Sequence, residues 1–543
     1  MGTFVICNDA PKRFHKNFRF FFSRPEKWYS CKRFKAMSNF KSSGVALPIF
    51  SLPDPYGIGT IGQGAREFID FLSDAGFRYW SLLPLGPTSY LDSPYQSTAS
   101  KALNPYFIDL VDLKERGLLE PRELNSLDWG ADPRRVDYGK IYENRMNVLR
   151  IAYKRFLKGK GEGYQRGYTS FIRQSNAFYD YSCYLSLKER FGGVAWYDFP
   201  KPYNLYTPSL FRRTKKENLS DVHFHLWTQY IFLRQWDALR DYAKKKGIVL
   251  VGDIPFHVAY DSVDVYRHPK NFRLGKDFRM TESAGYPPDV FYDRGQAWGF
   301  PLYDFDYLKK SGYRFLKGRL DLALSLYDVV VFDHFRGVLE NYRLPAGSQD
   351  GLNGTWEEGP GEDFLDTLRL PNERIVCEDV DFRSDRMQEI LLKYHYADMR
   401  VLEFAFPREK GNFNKPSNYP YPCYSFSSTH DCLPLRGYFE SLSTEERGKA
   451  LEELNGLCFH FGVRPSTEIP SEMRRAVLEL NLASLSEVAI QNMPDLLDQG
   501  AEGRINDPSK SSGNWRYRIT EEDLSKSLSR SLRRENDFYG RSS

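Results

Sequence analysis

Three short apolar runs in the C-terminal half of this chain each lead to a carboxylate. Val329 to Phe332 lead to Asp333, Ile375 to Cys377 lead to Glu378, and the run that starts at Tyr424 leads through His430 to Asp431. Continuous apolar runs separated by helical patterns indicate strands of a parallel sheet buried on both faces. A parallel barrel gathers the C-terminal ends of its strands around one mouth, so acids placed there converge on one substrate.

The pattern extends upstream. Residues 45–50, 79–85 and 248–255 read as further buried strands, and helices are predicted over 65–75, 142–156, 225–246 and 385–394. Phe68, Ile69, Leu72 and Ala75 share one face of the first helix, and the third ends in Lys244, Lys245 and Lys246 before Gly247, a favourable charge and cap. The number of strand and helix units favours a closed (β/α)8 TIM barrel with inserted subdomains over an open sheet. The expected organisation is a basic N-terminal extension over 1–43, a catalytic barrel over 44–520, and a polar tail over 521–543 that forms a surface helix with a frayed end. A helical insertion is expected over about 86–222, with loop insertions over about 257–312 and 338–362 reaching over the barrel mouth. At 543 residues the chain is long enough to bury one large core beneath such insertions.

The formal charge is +5, yet residues 1–36 carry nine Lys or Arg against Asp9 and Glu26, so the remainder is close to −2. A nearly neutral body argues against a nucleic-acid partner. The basic segment lacks the continuous apolar stretch of a secretory signal. It reads as a transit-like presequence, a tether for an anionic surface, or sequence upstream of a start at Met37. Nothing elsewhere approaches the roughly 18 apolar residues of a transmembrane helix, so no membrane partner is expected. Seven scattered cysteines without metal-like spacing point to a reducing cytoplasm. His223 and His225 have no third ligand at metal spacing, and no metal or cofactor is expected. Gly57, Gly59 and Gly62 match a dinucleotide-binding string but lack the acid that such a site needs near position 82.

Acids at converging strand ends suit the cleavage of a glycosidic bond. Cleavage with retention requires one carboxylate to attack the anomeric carbon and a second, protonated one about 5 Å away to give its proton to the leaving oxygen. Asp333, flanked by polar His334, is the candidate nucleophile. Glu378 is the candidate acid/base, because the apolar run before it offers surroundings that raise a carboxyl pKa. Asp431 is left to stabilise positive charge in the transition state. The simpler alternative is that each acid caps a helix after its strand. Three together, with His334 and His430 beside them, favour a site. An aromatic content of 16% suits stacking on flat sugar faces, although most of these rings belong in the core.

The chain also carries, in order, Asp92-Ser-Pro-Tyr95-Gln96, Gly252-Asp253-Ile-Pro255, Tyr286-Pro-Pro-Asp289, Gln296-Ala-Trp298-Gly, Asp333-His334-Phe-Arg336-Gly337, Glu378-Asp379, Thr429-His430-Asp431 and Gly513-Asn-Trp515-Arg. In this order, from about residue 44 to 520, it resembles the 4-α-glucanotransferases, also called amylomaltases or disproportionating enzymes. The resemblance implies an α-amylase-clan barrel that moves α-1,4-glucan segments between chains through a covalent glucosyl-enzyme, without a metal. It implies maltooligosaccharides and linear α-1,4-glucans as partners, in glycogen or starch metabolism. Position by position it makes Asp333 the nucleophile, Glu378 the acid/base and Asp431 the transition-state stabiliser. Tyr95, Asp253, Asp289, Trp298, His430 and Asn506 match positions that hold the sugars, which fits the stacking of Tyr and Trp faces and the hydrogen bonding of Asp and His.

Some positions depart from the family. It places Arg two residues before the nucleophile, where a fixed positive charge orients the carboxylate and keeps it ionised. Here that position is Val331. Cys432-Leu433-Pro434 replaces the usual Asn-Asp-Thr, and Cys377 stands where Ala is usual. Two alternatives therefore stand beside the transferase: an α-1,4-glucan hydrolase whose site stays wet, and a catalytically weak glucan-binding protein.

Overall fold

The computed structural model describes residues 41–174, 176–288, 293–379, 384–406, 411–510 and 512–543. The basic segment with Met37, and Asp289 among the expected sugar-holding residues, lie outside the described residues. The described strands are, in chain order, β1 (Ser42–Ala46), β2 (Tyr79–Ser81), β3 (Val249–Pro255), β4 (Glu282–Tyr286), β5 (Gln296–Pro301), β6 (Val329–Asp333), β7 (Glu340–Pro345), β8 (Thr355–Glu358), β9 (Ile375–Cys377), β10 (Ala397–Val401), β11 (Cys423–Phe426) and β12 (Val488–Asn492). Eight of them close into a parallel barrel in the order β1, β12, β11, β10, β9, β6, β3, β2, the architecture of a (β/α)8 TIM barrel. The other four form an antiparallel sheet in the order β5, β4, β7, β8.

Strand parity sets which side chains enter the barrel, because successive residues face opposite sides. Val329 and Val331 of β6 pack inside with Val251, Val376, Met399 and Tyr424, whereas Val330 and Phe332 join the core beneath the helices. Asp333 continues the inner phase of Val329 and Val331 at the strand's C-terminal end. Asp253 continues that of Val249 and Val251 in β3, and Glu378 follows Val376 in β9 with the same parity. The pairing of Pro255 with Asp333 and of Phe332 with Cys377 brings these acids to neighbouring levels of the mouth.

Two barrel strands were not legible as apolar runs. In β10, Asp398 and Arg400 face away from the barrel interior, buried and ion-paired with each other, which interrupts the hydrophobic signal. In β12 the polar pair Gln491 and Asn492 is buried and hydrogen-bonded to Leu478 O and Ser428 Oγ. The first strand also differs from the expected 45–50: it ends at Ala46, and past Pro48 the chain turns into a 3-10 segment, Ile49–Ser51.

The loop insertions are corrected in kind. The segments expected as excursions over 257–312 and 338–362 combine into the four-stranded sheet, with β4 pairing β5 and β7. Its strands are four to six residues long, and the pairing of β4 with β7 that joins its two halves spans more than fifty residues, so no local alternation announces the sheet. Upstream, helices Tyr138–Leu157, Tyr168–Gln174, Asn176–Arg190 and Pro208–Glu217 precede the long helix Leu219–Lys245 that feeds β3. Lys188 and Tyr184 of this helical part both bond Asp261, tying it to the loop after β3.

The expected frayed end is instead anchored. Helix Lys526–Phe538 is followed by Arg541, fully buried, whose guanidinium donates to Ser42 O, Leu482 O, Ser484 O and Ser486 O at the start of the barrel. The four carbonyl acceptors explain how a charged residue is held inside. No helix among the described residues is long and apolar enough to cross a membrane.

Candidate active site

Asp333 and Glu378 are tied through one residue. The backbone N–H of His334 donates to Glu378 Oε2 at 2.8 Å, and the backbone of Glu378 exchanges bonds with Phe332 O and Phe335 N. His334 reaches this geometry at φ +52°, a left-handed conformation that costs a non-glycine residue roughly 1 kcal/mol and is tolerated where the surroundings over-determine it. Its imidazole is buried against Trp298, with ring centroids 4.9 Å apart, and is pushed down to about 3, so it stays neutral beside the acids.

Electrostatics show that four carboxylates share one space. Burial first, then the charges of Asp253 and Asp431, push Asp333 well above the ordinary aspartate range. Asp253 is pushed up to about 8 by burial, with Glu378 and Asp431 adding to the effect and the Tyr95 hydrogen bond opposing it. Tyr95 donates from its hydroxyl to Asp253 Oδ2 at 2.7 Å, and its phenol is raised by burial and by Asp253, Asp333 and Asp431 together. Burial and these like charges together oppose the ionisation of both Asp333 and Asp253.

Asp431 arrives differently. It lies five residues past the end of β11, so strand parity does not place it. Its loop is bonded into position: Ser427 and Ser428 donate to buried Asp495, and Asn506 donates to Asp431 Oδ1 at 2.6 Å. His430 Nε2 lies 3.3 Å from the same oxygen. Arg504 donates to the backbone oxygens of Asp431 and Asn506, which joins the two loops. Replacing Asn506 by Ala removes the hydrogen bond to Asp431 Oδ1 and should lower turnover roughly tenfold to a hundredfold with little change in melting temperature. Unchanged turnover would show that Asn506 does not hold the acid.

Aromatic walls flank the acids. Tyr95 stacks on His430 with centroids 5.4 Å apart, and Trp515 packs against both rings. On the other side, β5 brings Trp298 to His334, where Gln96 donates to Trp298 O and thereby links the two walls. Asp253, Trp298, His430 and Asn506 thus lie around the same mouth as Tyr95, Asp333, Glu378 and Asp431.

A family model described as 4-alpha-glucanotransferase matches residues 47–524. The chain belongs to the 4-alpha-glucanotransferase family. Among its relatives, the 4-alpha-glucanotransferase of Clostridium butyricum is 36% identical over 500 residues, covering 91% of this chain and all of that protein. That of Thermus thermophilus is 36% identical over 491 residues, covering 89% of this chain and 96% of that protein. Among solved structures, the amylomaltase of Streptococcus agalactiae in complex with acarbose superposes with a TM-score of 0.86 at 32% identity, covering 93% of this chain and all of that one.

Set within the 4-alpha-glucanotransferase family, Val331 has a clear structural setting. It is buried in the barrel interior one inner position below Asp333, with Asp253 and Val376 as its neighbours across the sheet. Arg336, on the far side of the motif, donates to Tyr286 and Glu340 and lies over the Trp356 ring. The sequence reading did not single out Arg504 or Trp515 as site residues. Trp515 could have been drawn from the Gly513-Asn-Trp515-Arg motif, whereas Arg504 acts through backbone oxygens and leaves no pattern.

Proposed function

We propose that the protein is a 4-α-glucanotransferase that passes α-1,4-glucan segments between maltooligosaccharides or linear glucans with retention. Asp333 attacks the anomeric carbon while Glu378 protonates the departing glycosidic oxygen, leaving a glycosyl-enzyme. Glu378 then removes the proton from the acceptor hydroxyl as it displaces Asp333. Asp431, oriented by Asn506, stabilises the oxocarbenium-like charge. Tyr95 and Trp298 offer faces to the pyranose rings, and Asp253 and His430 offer hydrogen bonds to hydroxyls. Asp289 completes the proposed sugar-holding set by its place in the motif. No step requires a cofactor. The observation that carries this reading is the bond from His334 N–H to Glu378, which holds the proposed acid one residue from the proposed nucleophile.

Transfer prevails over hydrolysis when an acceptor sugar excludes water from the intermediate. The sheet β5, β4, β7, β8 carries Trp298 to the mouth and is the element best placed to do so. Five unpaired cysteines among the described residues support a reducing, cytoplasmic setting. Incubation with maltotriose alone tests the assignment. Glucose together with a ladder of longer maltooligosaccharides is expected; glucose and maltose without a ladder would mean hydrolysis, and saturable binding without product would mean a binding protein.

The missing cation has a pH signature. Asp333 attacks only when ionised, and burial with its acidic neighbours raises its pKa, so activity is lost as pH falls through that raised value. The acid limb of kcat/KM should therefore lie well above the ordinary aspartate range. Val331→Arg should move the limb to lower pH and raise turnover under mildly acidic conditions. A lower rate at every pH would sink the idea that Val331 detunes the site.

A further inference from the structure

A buried guanidinium holds the turn against which Asp333 rests. Pro255 pairs with Asp333 across β3 and β6, and the backbone N–H of Phe256 donates to Asp333 O at 3.2 Å. The ladder between the two strands ends there. The carbonyls of Pro255, Phe256 and His257, at and just past that end, all turn to Arg319 of the helix Arg314–Leu326. Its Nη1 donates to Phe256 O at 2.7 Å and to the Tyr303 hydroxyl at 2.9 Å, and its Nη2 donates to Pro255 O and, at 3.2 Å, to His257 O. The Tyr303 hydroxyl gives its own proton to Phe256 O at 2.7 Å, so that oxygen accepts twice.

A charged residue in this position needs explanation. Arg319 is 4% exposed, and these partners are carbonyl oxygens and a phenol, with no carboxylate among them. Burying a charge is costly unless its donors are satisfied, and the planar fork of a guanidinium lets one side chain hold three consecutive peptide units at once. The turn so held touches the site twice. Phe256 bonds the Asp333 carbonyl, and the His257 ring stacks on Tyr303 with centroids 5.8 Å apart and lies 5.9 Å from His334 and 6.0 Å from Trp298. Val331 supplies no charge from within β6, so the aim of the Asp333 carboxylate depends on the backbone that carries it.

We propose that Arg319 and Tyr303 are positioning residues, which fix the turn 255–257 and, through Phe256 N–H, the peptide of Asp333 and hence the aim of its carboxylate at the anomeric carbon. The inference rests on the reading of Asp333 as the nucleophile. Loss of this support misplaces the attacking oxygen more than it weakens sugar binding, so kcat falls while KM stays nearly unchanged.

The test compares Arg319→Met, Arg319→Lys, Tyr303→Phe and the Arg319→Met/Tyr303→Phe double variant in the full chain, on maltotriose and on a maltosyl fluoride. Arg319→Met should lower kcat on maltotriose roughly tenfold to a hundredfold, with KM within about threefold. Formation of the glycosyl-enzyme from the fluoride should slow as well, because Asp333 attacks both substrates, whereas a fault in proton donation would spare the fluoride. Arg319→Lys keeps the charge and some of the donors and should recover part of the loss. Tyr303→Phe removes one of the two donors to Phe256 O and should cost roughly threefold to tenfold. The double variant should fall short of the product of the single losses, because both act on the same oxygen. A melting temperature lowered without a change in kcat, a loss confined to maltotriose, or independent losses in the double variant would overturn the proposal. If Arg319→Met does not fold, Tyr303→Phe decides it: a lower kcat on both substrates upholds the proposal, and a wild-type kcat overturns it. A wild-type protein that makes no product from maltotriose would overturn the functional reading, and this proposal with it.

Discussion

Asp333→Ala should reduce transfer from maltotriose by about 10⁴-fold or more, ~5 kcal/mol of barrier, while glucan binding and folding persist. Asp333 lies at the end of β6 on the inner face, and the charges acting on it come from Asp253 and Asp431, which oppose its ionisation. Removing one acid from a crowded cluster relieves repulsion, so the variant should melt no lower than the wild type. A rate measured by product formation within about tenfold of wild type would remove Asp333 from the nucleophile's role.

Glu378→Gln should cost about 10²- to 10⁴-fold in turnover on maltotriose, the usual worth of a positioned proton donor. The amide keeps the shape and accepts the His334 N–H through its oxygen, so the loss isolates proton transfer from positioning. A maltosyl fluoride, whose leaving group needs no proton, should form the glycosyl-enzyme in this variant at a rate close to that of the wild type. The second step still lacks its base, so the intermediate should accumulate. An equal loss on the fluoride would assign Glu378 to orientation instead of acid/base work.

Much of this arrangement was readable in the chain, and the exceptions share a cause. Asp333 and Glu378 could be placed because they terminate apolar strands, where parity decides direction. The residues 328–335 and 375–379 carry both signals at once, an uninterrupted hydrophobic run and an acid at its end. Asp431 was read from the run that starts at Tyr424, yet its position depends on Asn506, Asp495, Arg504 and the two serines, contacts between segments dozens of residues apart. β12 behaves alike, since its buried Gln491 and Asn492 are satisfied from Leu478 and Ser428, whereas in β10 Asp398 and Arg400 pair with each other; both strands read locally as surface. The sheet that carries Trp298 was invisible because its strands are short and its two halves join only through the pairing of β4 with the distant β7. Arg541 shows the converse: a basic tail reads as solvent-exposed until its carbonyl partners are known.

Trapping the intermediate tests the central claim most directly. Glu378→Gln protein incubated with a maltosyl fluoride, digested with protease and mapped by mass spectrometry should yield one modified peptide, with the sugar esterified to Asp333. A sugar on Asp253 or Asp431, or release of fluoride with no adduct at any acid, would contradict a retaining transfer centred on Asp333.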